Sequence, residues 1–112
     1  MIDCSVALGP LLLRSPLVAA SGTVGSVVDF AGVGALEAYG AAVAKSVSET
    51  PWSGNPAPRM AGAGAGMLNA IGIQNPGVEA WVEETGPLLS GLPVPVWGSA
   101  VAKTIEGFAA VA

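Results

Sequence analysis

Two asparagines, three glycines and a proline interrupt an apolar stretch at Gly66-Met67-Leu68-Asn69-Ala70-Ile71-Gly72-Ile73-Gln74-Asn75-Pro76-Gly77. Neither a helix nor a strand selects that mixture, because glycine and proline weaken both and asparagine prefers turns. An asparagine side chain donates and accepts at once, which suits the imide or carboxylate edge of a flat polar ligand. Asn75, directly ahead of Pro76, also fits the N-cap of a helix with proline at its first position, and capping is the role expected of it. Asn69 has no comparable structural duty, so the ligand-facing role falls to Asn69.

Lys45 is the sharpest single candidate. It interrupts the apolar run Ala41–Val47, and an unpaired buried ammonium is costly. Two readings stay open: an ammonium that meets an anion in a polar pocket, or an edge position from which it snorkels to water. At the C-terminal end of a barrel strand it would face the ligand and stabilise negative charge there. Ser21 and Gly22 follow another apolar run, Leu17–Ala20. Small residues there would let a flat cofactor approach the backbone, although an ordinary strand-ending turn has the same composition. Arg59, in Gly54-Asn55-Pro56-Ala57-Pro58-Arg59, is either an anion ligand or a solvated loop arginine. Trp52, Trp81 and Trp97 form no sequence cluster and are expected to pack.

The elements that must position these residues alternate between strand and helix. Residues 4–13 suggest a hairpin around Gly9-Pro10, and Leu17–Ala20 a buried strand. Apolar spacing from Val27 to Tyr39 predicts a helix, with Gly40 as its C′ glycine. Ala41–Val47 reads as a second strand, followed by a long excursion from Ser48 to Asn75, of the kind that is usually functional or disordered. A helix is expected after Asn75-Pro76, with Val78, Trp81, Val82 and Thr85 facing inward and Glu79, Glu83 and Glu84 in or near its first turns. Val94–Ala100 gives a third strand, and Thr104 caps a last helix. Alternating order of this kind favours a parallel sheet.

Composition narrows the function classes. The 112 residues fit one domain, and 52% apolar content argues against disorder. A net charge of −4, with only four Lys and Arg, gives no basic footprint for nucleic acid. One cysteine and no histidine exclude an intrachain disulfide and a histidine triad within these residues. Cys4 precedes the first expected strand of the sheet and is no candidate nucleophile. The N-terminus lacks a signal-peptide pattern, and no apolar run is long enough to cross a bilayer, so a cytoplasmic protein is expected. The last residues, Phe108–Ala112, lie inside an apolar helical pattern, and the expectation is a truncated sequence.

Four blocks in order resemble the class 1 dihydroorotate dehydrogenases: Pro16-Leu17-Val18-Ala19-Ala20-Ser21-Gly22-Thr23, Ala44-Lys45-Ser46, Gly54–Arg59 and Gly66–Gly77. The resemblance is strongest to the 1B branch, whose partner subunit carries FAD and an iron–sulfur cluster and passes electrons to NAD. It implies an α/β fold in which residues 1–112 are the N-terminal part of a (β/α)8 TIM barrel with a short leading β-hairpin. The implied activity is FMN-dependent oxidation of (S)-dihydroorotate to orotate in pyrimidine biosynthesis. Ala20, Ser21 and Gly22 would touch FMN, with Lys45 and Ser46 against the isoalloxazine and Lys45 reaching the substrate. Asn69, Ile71, Gly72 and Ile73 would hold dihydroorotate or orotate. Ser99 falls where the family usually has an FMN- or substrate-contacting asparagine, and Ala102 where it has a glycine.

The family's cysteine base and its later FMN-phosphate glycines are expected beyond Ala112. No catalytic base is therefore assigned within these residues, and residues 1–112 alone are expected to be inactive. A homodimer or heterotetramer is implied for the full-length protein. The rival readings are a dihydropyrimidine dehydrogenase-like flavin domain, a non-catalytic flavin-binding fragment and a flavodoxin-like carrier.

Overall fold

Three short parallel strands hold the molecule together in the computed structural model, which describes residues 2–112. The chain begins with the expected hairpin, β1 (Val6–Leu8) against β2 (Leu11–Leu13), with Val6 opposite Leu13. Strands β3 (Val18–Ala19) and β4 (Ala41–Val43) follow. A second hairpin, β5 (Met60–Ala63) with β6 (Gly66–Asn69), precedes helices α1 (Val78–Glu84) and α2 (Gly86–Leu89). Strand β7 (Val96–Trp97) and helix α3 (Ile105–Val111) complete the order. The sheet runs β3-β4-β7, with Val18 beside Ala41 and Ala42 beside Val96.

The central strand is built from small residues because both of its faces are covered. Ala41, Ala42 and Ala44 are completely buried, as expected where a parallel sheet has no solvent face. Ala42 and Ala44 join Ala19, Val24, Val27, Leu36 and Val94 in one core cluster. Phe30, Tyr39 and Trp81 pack against that cluster, so Trp81 packs as expected.

Beyond β4 the ladder contains a bulge. The N–H groups of Ala42, Ala44 and Val47 donate to the carbonyls of Pro95, Trp97 and Ser99 at 3.0, 2.9 and 2.9 Å. From Ala44 to Val47 the central strand advances three residues while its partner advances two. With Val43 level with Trp97 and Val47 with Ala100, Lys45 and Ser46 therefore lie opposite the single residue Ser99. Bulges of this sort re-aim side chains next to functional sites. The N–H of Lys45, on the other side of the strand from those of Ala42 and Ala44, donates to the Gly25 carbonyl at 3.1 Å.

Four expectations need correction. Residues 27–39 form no α-helix, only two 3-10 turns at Val28–Phe30 and Leu36–Ala38. Gly32 and Gly34 cost helix stability, no side chain caps the first turn, and Phe30 folds its ring over Gly34. Gly40 is no C′ cap: its N–H donates to Leu17 O at 2.8 Å, and a Cβ there would collide with the Ser15 carbonyl. The excursion carries a hairpin of its own, β5–β6. Helix α1 starts at Val78 with Gly77 as N-cap, so Asn75 and Pro76 lie outside it. Val82 is exposed rather than inward. Thr104 does cap α3, its Oγ1 accepting from Gly107 N–H at 3.1 Å.

Candidate active site

At the carboxyl ends of the three parallel strands lies a row of serines. Ser21 follows β3, Ser46 follows β4 and Ser99 follows β7. The Ser21 hydroxyl donates to the Ala44 carbonyl at 2.8 Å. Ser21 Oγ and Ser46 Oγ are 3.2 Å apart, and Ser46 Oγ and Ser99 Oγ are 2.8 Å apart. Each hydroxyl owns one proton. With the Ser21 proton spent on Ala44, Ser46 donates to Ser21 and Ser99 donates to Ser46. The row thus has a direction, and Ser99 is left with acceptor capacity for an incoming N–H.

Lys45 lies beside this row. A Cβ built on Gly22 would fall 3.6 Å from the Lys45 Nζ and Cδ atoms, so the lysine stem crosses directly above the glycine backbone. Gly22 also has φ +78°, a conformation open to glycine and costly for other residues. Both facts explain glycine at this position. Lys45 and Ser99 share a cleft of about 320 Å³ with Val47, Trp81, Gly98 and Val111. The Trp81 indole N–H is buried without an acceptor among the described residues.

The amide-bearing segment occupies a separate part of the surface. Asn69 ends β6, opposite Met60, on a wholly exposed hairpin. Ile71 and Gly72 pack against Asn55, whose N–H donates to Ile71 O at 3.0 Å and whose Nδ2 donates to Ala70 O at 2.8 Å. A Cβ on Gly72, at φ +78°, would stand 2.7 Å from the Asn55 nitrogen. Ile73 follows with φ +54°, a genuine outlier for a β-branched residue. The N–H groups of Ile71, Gly72 and Ile73 meet no acceptor among the described residues. Gly72 opens onto a shallow hollow with Trp52, Asn55 and Lys103. Ser21, Gly22, Lys45, Ser46 and Ser99 are brought together; the cleft that Lys45 and Ser99 share is lined by none of Asn69, Ile71, Gly72 and Ile73. Ala20 contributes its carbonyl, which accepts from Thr23 N–H at 3.1 Å and Thr23 Oγ1 at 2.6 Å.

Asn75 closes the neck of the excursion. Its Oδ1 accepts from Ser48 N–H, Ser48 Oγ and Gly77 N–H, each at 3.0 Å, and its Nδ2 donates to Ile73 O at 3.0 Å. Its backbone pairs with Trp52 in both directions at 3.0 Å. Asn75 and Ser48 are 7% and 1% exposed, so the amide is a buried clasp and not a helix cap. Sequence reasoning passed over Ser48, whose one signal was a hydroxyl at the end of an apolar strand. Arg59 is tied down rather than solvated: it donates to Gln74 Oε1 through Nη1 and to Ser53 O at 3.2 Å through Nη2. Lys103 Nζ sits 5.5 Å from the centroid of Trp52, linking the excursion to the turn before α3.

The segment after β3 carries its own clasp. Asp29 Oδ2 accepts from Ser26 Oγ at 2.5 Å and from Ser26 N–H at 3.1 Å. The Ser26 hydroxyl first, and then its N–H, hold the Asp29 carboxyl below its ordinary range. Between them and the core stands Val27, fully buried with φ +74°.

Among the described residues no group of His, Cys, Asp and Glu is placed to hold a metal ion, and no helix is long and apolar enough to cross a membrane. A family model for dihydroorotate dehydrogenase matches residues 5–112. Proteins called dihydroorotate dehydrogenase B (NAD(+)), catalytic subunit, are similar to this chain. Those of Geobacter sp. (strain M21) and Geobacter sulfurreducens are 41% and 42% identical over 110 residues, 98% of this chain. The one from Desulforudis audaxviator is 41% identical over 111 residues. The chain spans 36% of the length of each of these relatives. A ligand-free DHODH from Eimeria tenella shares the fold with a TM-score of 0.66 at 17% identity, over 93% of this chain and 32% of that one.

Proposed function

The chain belongs to the dihydroorotate dehydrogenase family, and on that premise we propose that it forms the opening part of a (β/α)8 barrel whose full-length protein oxidises (S)-dihydroorotate to orotate. The observation that carries this proposal is the serine row at the carboxyl ends of β3, β4 and β7 with Lys45 beside it. Active sites of α/β barrels gather at that end of the strands. The residues there suit FMN: a bare Gly22 backbone, a line of hydroxyls and a cation. When bound, FMN supplies the hydride acceptor for the oxidation.

The roles of the chain's own groups follow from their chemistry. Ala20, Ser21 and Gly22 offer backbone approach to a flat ring. Ser46 orients Ser99 by accepting its proton, and Ser99 accepts from a ring N–H. Here the family's usual asparagine could both donate and accept; Ser99 toward a ligand only accepts. Lys45 stabilises negative charge developing on the ring system or carried by the substrate. The unpartnered N–H groups of Ile71, Gly72 and Ile73 form a donor set for the substrate carboxylate, with Asn69 beside them on the hairpin. No residue from 1 to 112 is assigned as the base that takes the second hydrogen as a proton. We further propose a cytoplasmic protein in pyrimidine biosynthesis, working with an electron-transfer subunit that holds FAD and an iron–sulfur cluster and uses NAD, after the relatives named B (NAD(+)).

The test is to purify the full-length protein, release and identify its flavin, and follow dihydroorotate-dependent dye reduction. FMN release with turnover is expected, and Lys45→Ala should lower kcat/KM by about 100-fold, the scale of losing one preorganised charge-stabilising group. A full-length protein without flavin that leaves dihydroorotate unchanged would sink the proposal.

A further inference from the structure

We propose that the Ser26–Asp29 pair is a positioning device for Lys45, acting through the Gly25 carbonyl. The catalytic consequence rests on the function proposed above; the structural one does not. Along the central strand the N–H groups of Ala42 and Ala44 face β7, so that of Lys45 faces the β3 side. Strand β3 has ended there, and Gly25 O takes the Lys45 N–H at 3.1 Å. That bond ties the backbone of Lys45, at the bulge, to the segment after β3. Without it the strand end is free to shift, and the lysine with it, from its place above Gly22.

What fixes the carbonyl is the turn that follows it. Gly25 has φ +59°, and a Cβ there would lie 2.8 Å from Asp29 Oδ2. The carboxylate packs against the bare α-carbon while it accepts twice from Ser26. Val27, the next residue, is β-branched, fully buried and at φ +74°. Strain of this sort persists only where the surroundings over-determine it, and it clusters at functional sites. The core holds Val24 and Val27, and Asp29 holds Ser26. Gly25 is caught between Val24 and Ser26, with its carbonyl accepting the Lys45 N–H. Asp29 lies outside the cleft, so it is a positioning residue and not a catalytic one.

Amide hydrogen exchange and turnover, both on the full-length protein, test this. Asp29→Ala should speed exchange at the Lys45 N–H by about tenfold or more, while Ala44 and Val47, bonded in the ladder, keep their protection. Ser26→Ala keeps the backbone donor and should move Lys45 exchange in the same direction but less. In turnover, Asp29→Ala should lower kcat by roughly tenfold with KM changed less than about twofold, since a small misplacement of a reacting group acts on rate. Asp29→Asn, which retains an acceptor for Ser26, should restore most of both signals. Unchanged Lys45 exchange in both the Asp29→Ala and Ser26→Ala proteins would overturn the proposal. So would a loss of folding or activity in Asp29→Ala that Asp29→Asn does not rescue. If the unaltered full-length protein proves to have no turnover, the proposed function fails, and the exchange measurement still decides the clasp.

Discussion

Val27 and Ile73 are both β-branched and both held at positive φ, at 74° and 54°, yet their surroundings differ. Val27 is completely buried in the core, whereas Ile73 is 39% exposed at the mouth of the excursion. A left-handed backbone costs a non-glycine residue about 1–2 kcal/mol. At Val27 that cost is offset by apolar burial, which is worth about 1.5–3 kcal/mol for such a side chain. At Ile73 little burial offsets it, and the neighbouring N–H groups have no acceptor among the described residues. Strain in the first place serves the fold and orients a carbonyl. In the second it accompanies N–H groups without an acceptor, the donor set proposed above for the substrate.

The largest expected effect lies at the restraint behind Ile73. Asn75→Ala strips the acceptor from Ser48 N–H and Gly77 N–H, while the Ser48 hydroxyl keeps the Thr50 carbonyl at 2.7 Å. Leaving buried donors unsatisfied should cost about 2–4 kcal/mol, read as a lower denaturation midpoint of the full-length protein. Val27→Gly is next: lost burial and the cavity outweigh the strain relieved, for a net loss of about 1–2 kcal/mol in the same measurement. Ile73→Gly should stay within about 0.5 kcal/mol of the parent, because relieved strain and the greater chain entropy of glycine oppose one another. Equal losses at Val27 and Ile73 would break the comparison.

The smallest effect is electrostatic. Hydrogen bonds from Ser26 hold the folded-state pKa of Asp29 below its ordinary value of 3.8. The unfolded chain therefore takes up that proton more readily than the folded one. Stability from this pair is fully present above about pH 4 and is lost as pH falls through the lowered folded value. Asp29→Asn should flatten that part of the acid-side decline, seen by comparing unfolding midpoints near pH 7 and pH 3. An unchanged decline would remove Asp29 from the account.

Much of this was legible in the chain. The leading hairpin, the three strands and the Thr104 cap follow from short-range patterns of apolar residues and turn formers. Ser21 and Gly22 could be named because they follow an apolar run, and Lys45 because it interrupts one, whereas Ser46 and Ser99 were named only through the family resemblance. The 27–39 segment misled because its apolar spacing mimics one helix face while Gly32 and Gly34 break the helix. Asn75 misled because an amide before proline resembles a cap, and nothing local announces that its partner is Ser48, 27 residues away.

The sequence by itself determined which residues stand at the strand ends, since alternation, glycine placement and small side chains are local properties. Only the tertiary structure decided how those ends meet. The bond from Lys45 N–H to Gly25 O, the direction of the serine row, and the clasp of Asn75 on Ser48 all join residues distant in sequence. Each arises because a buried N–H or hydroxyl must find a partner, and which partner lies within reach is fixed by how the strands pack.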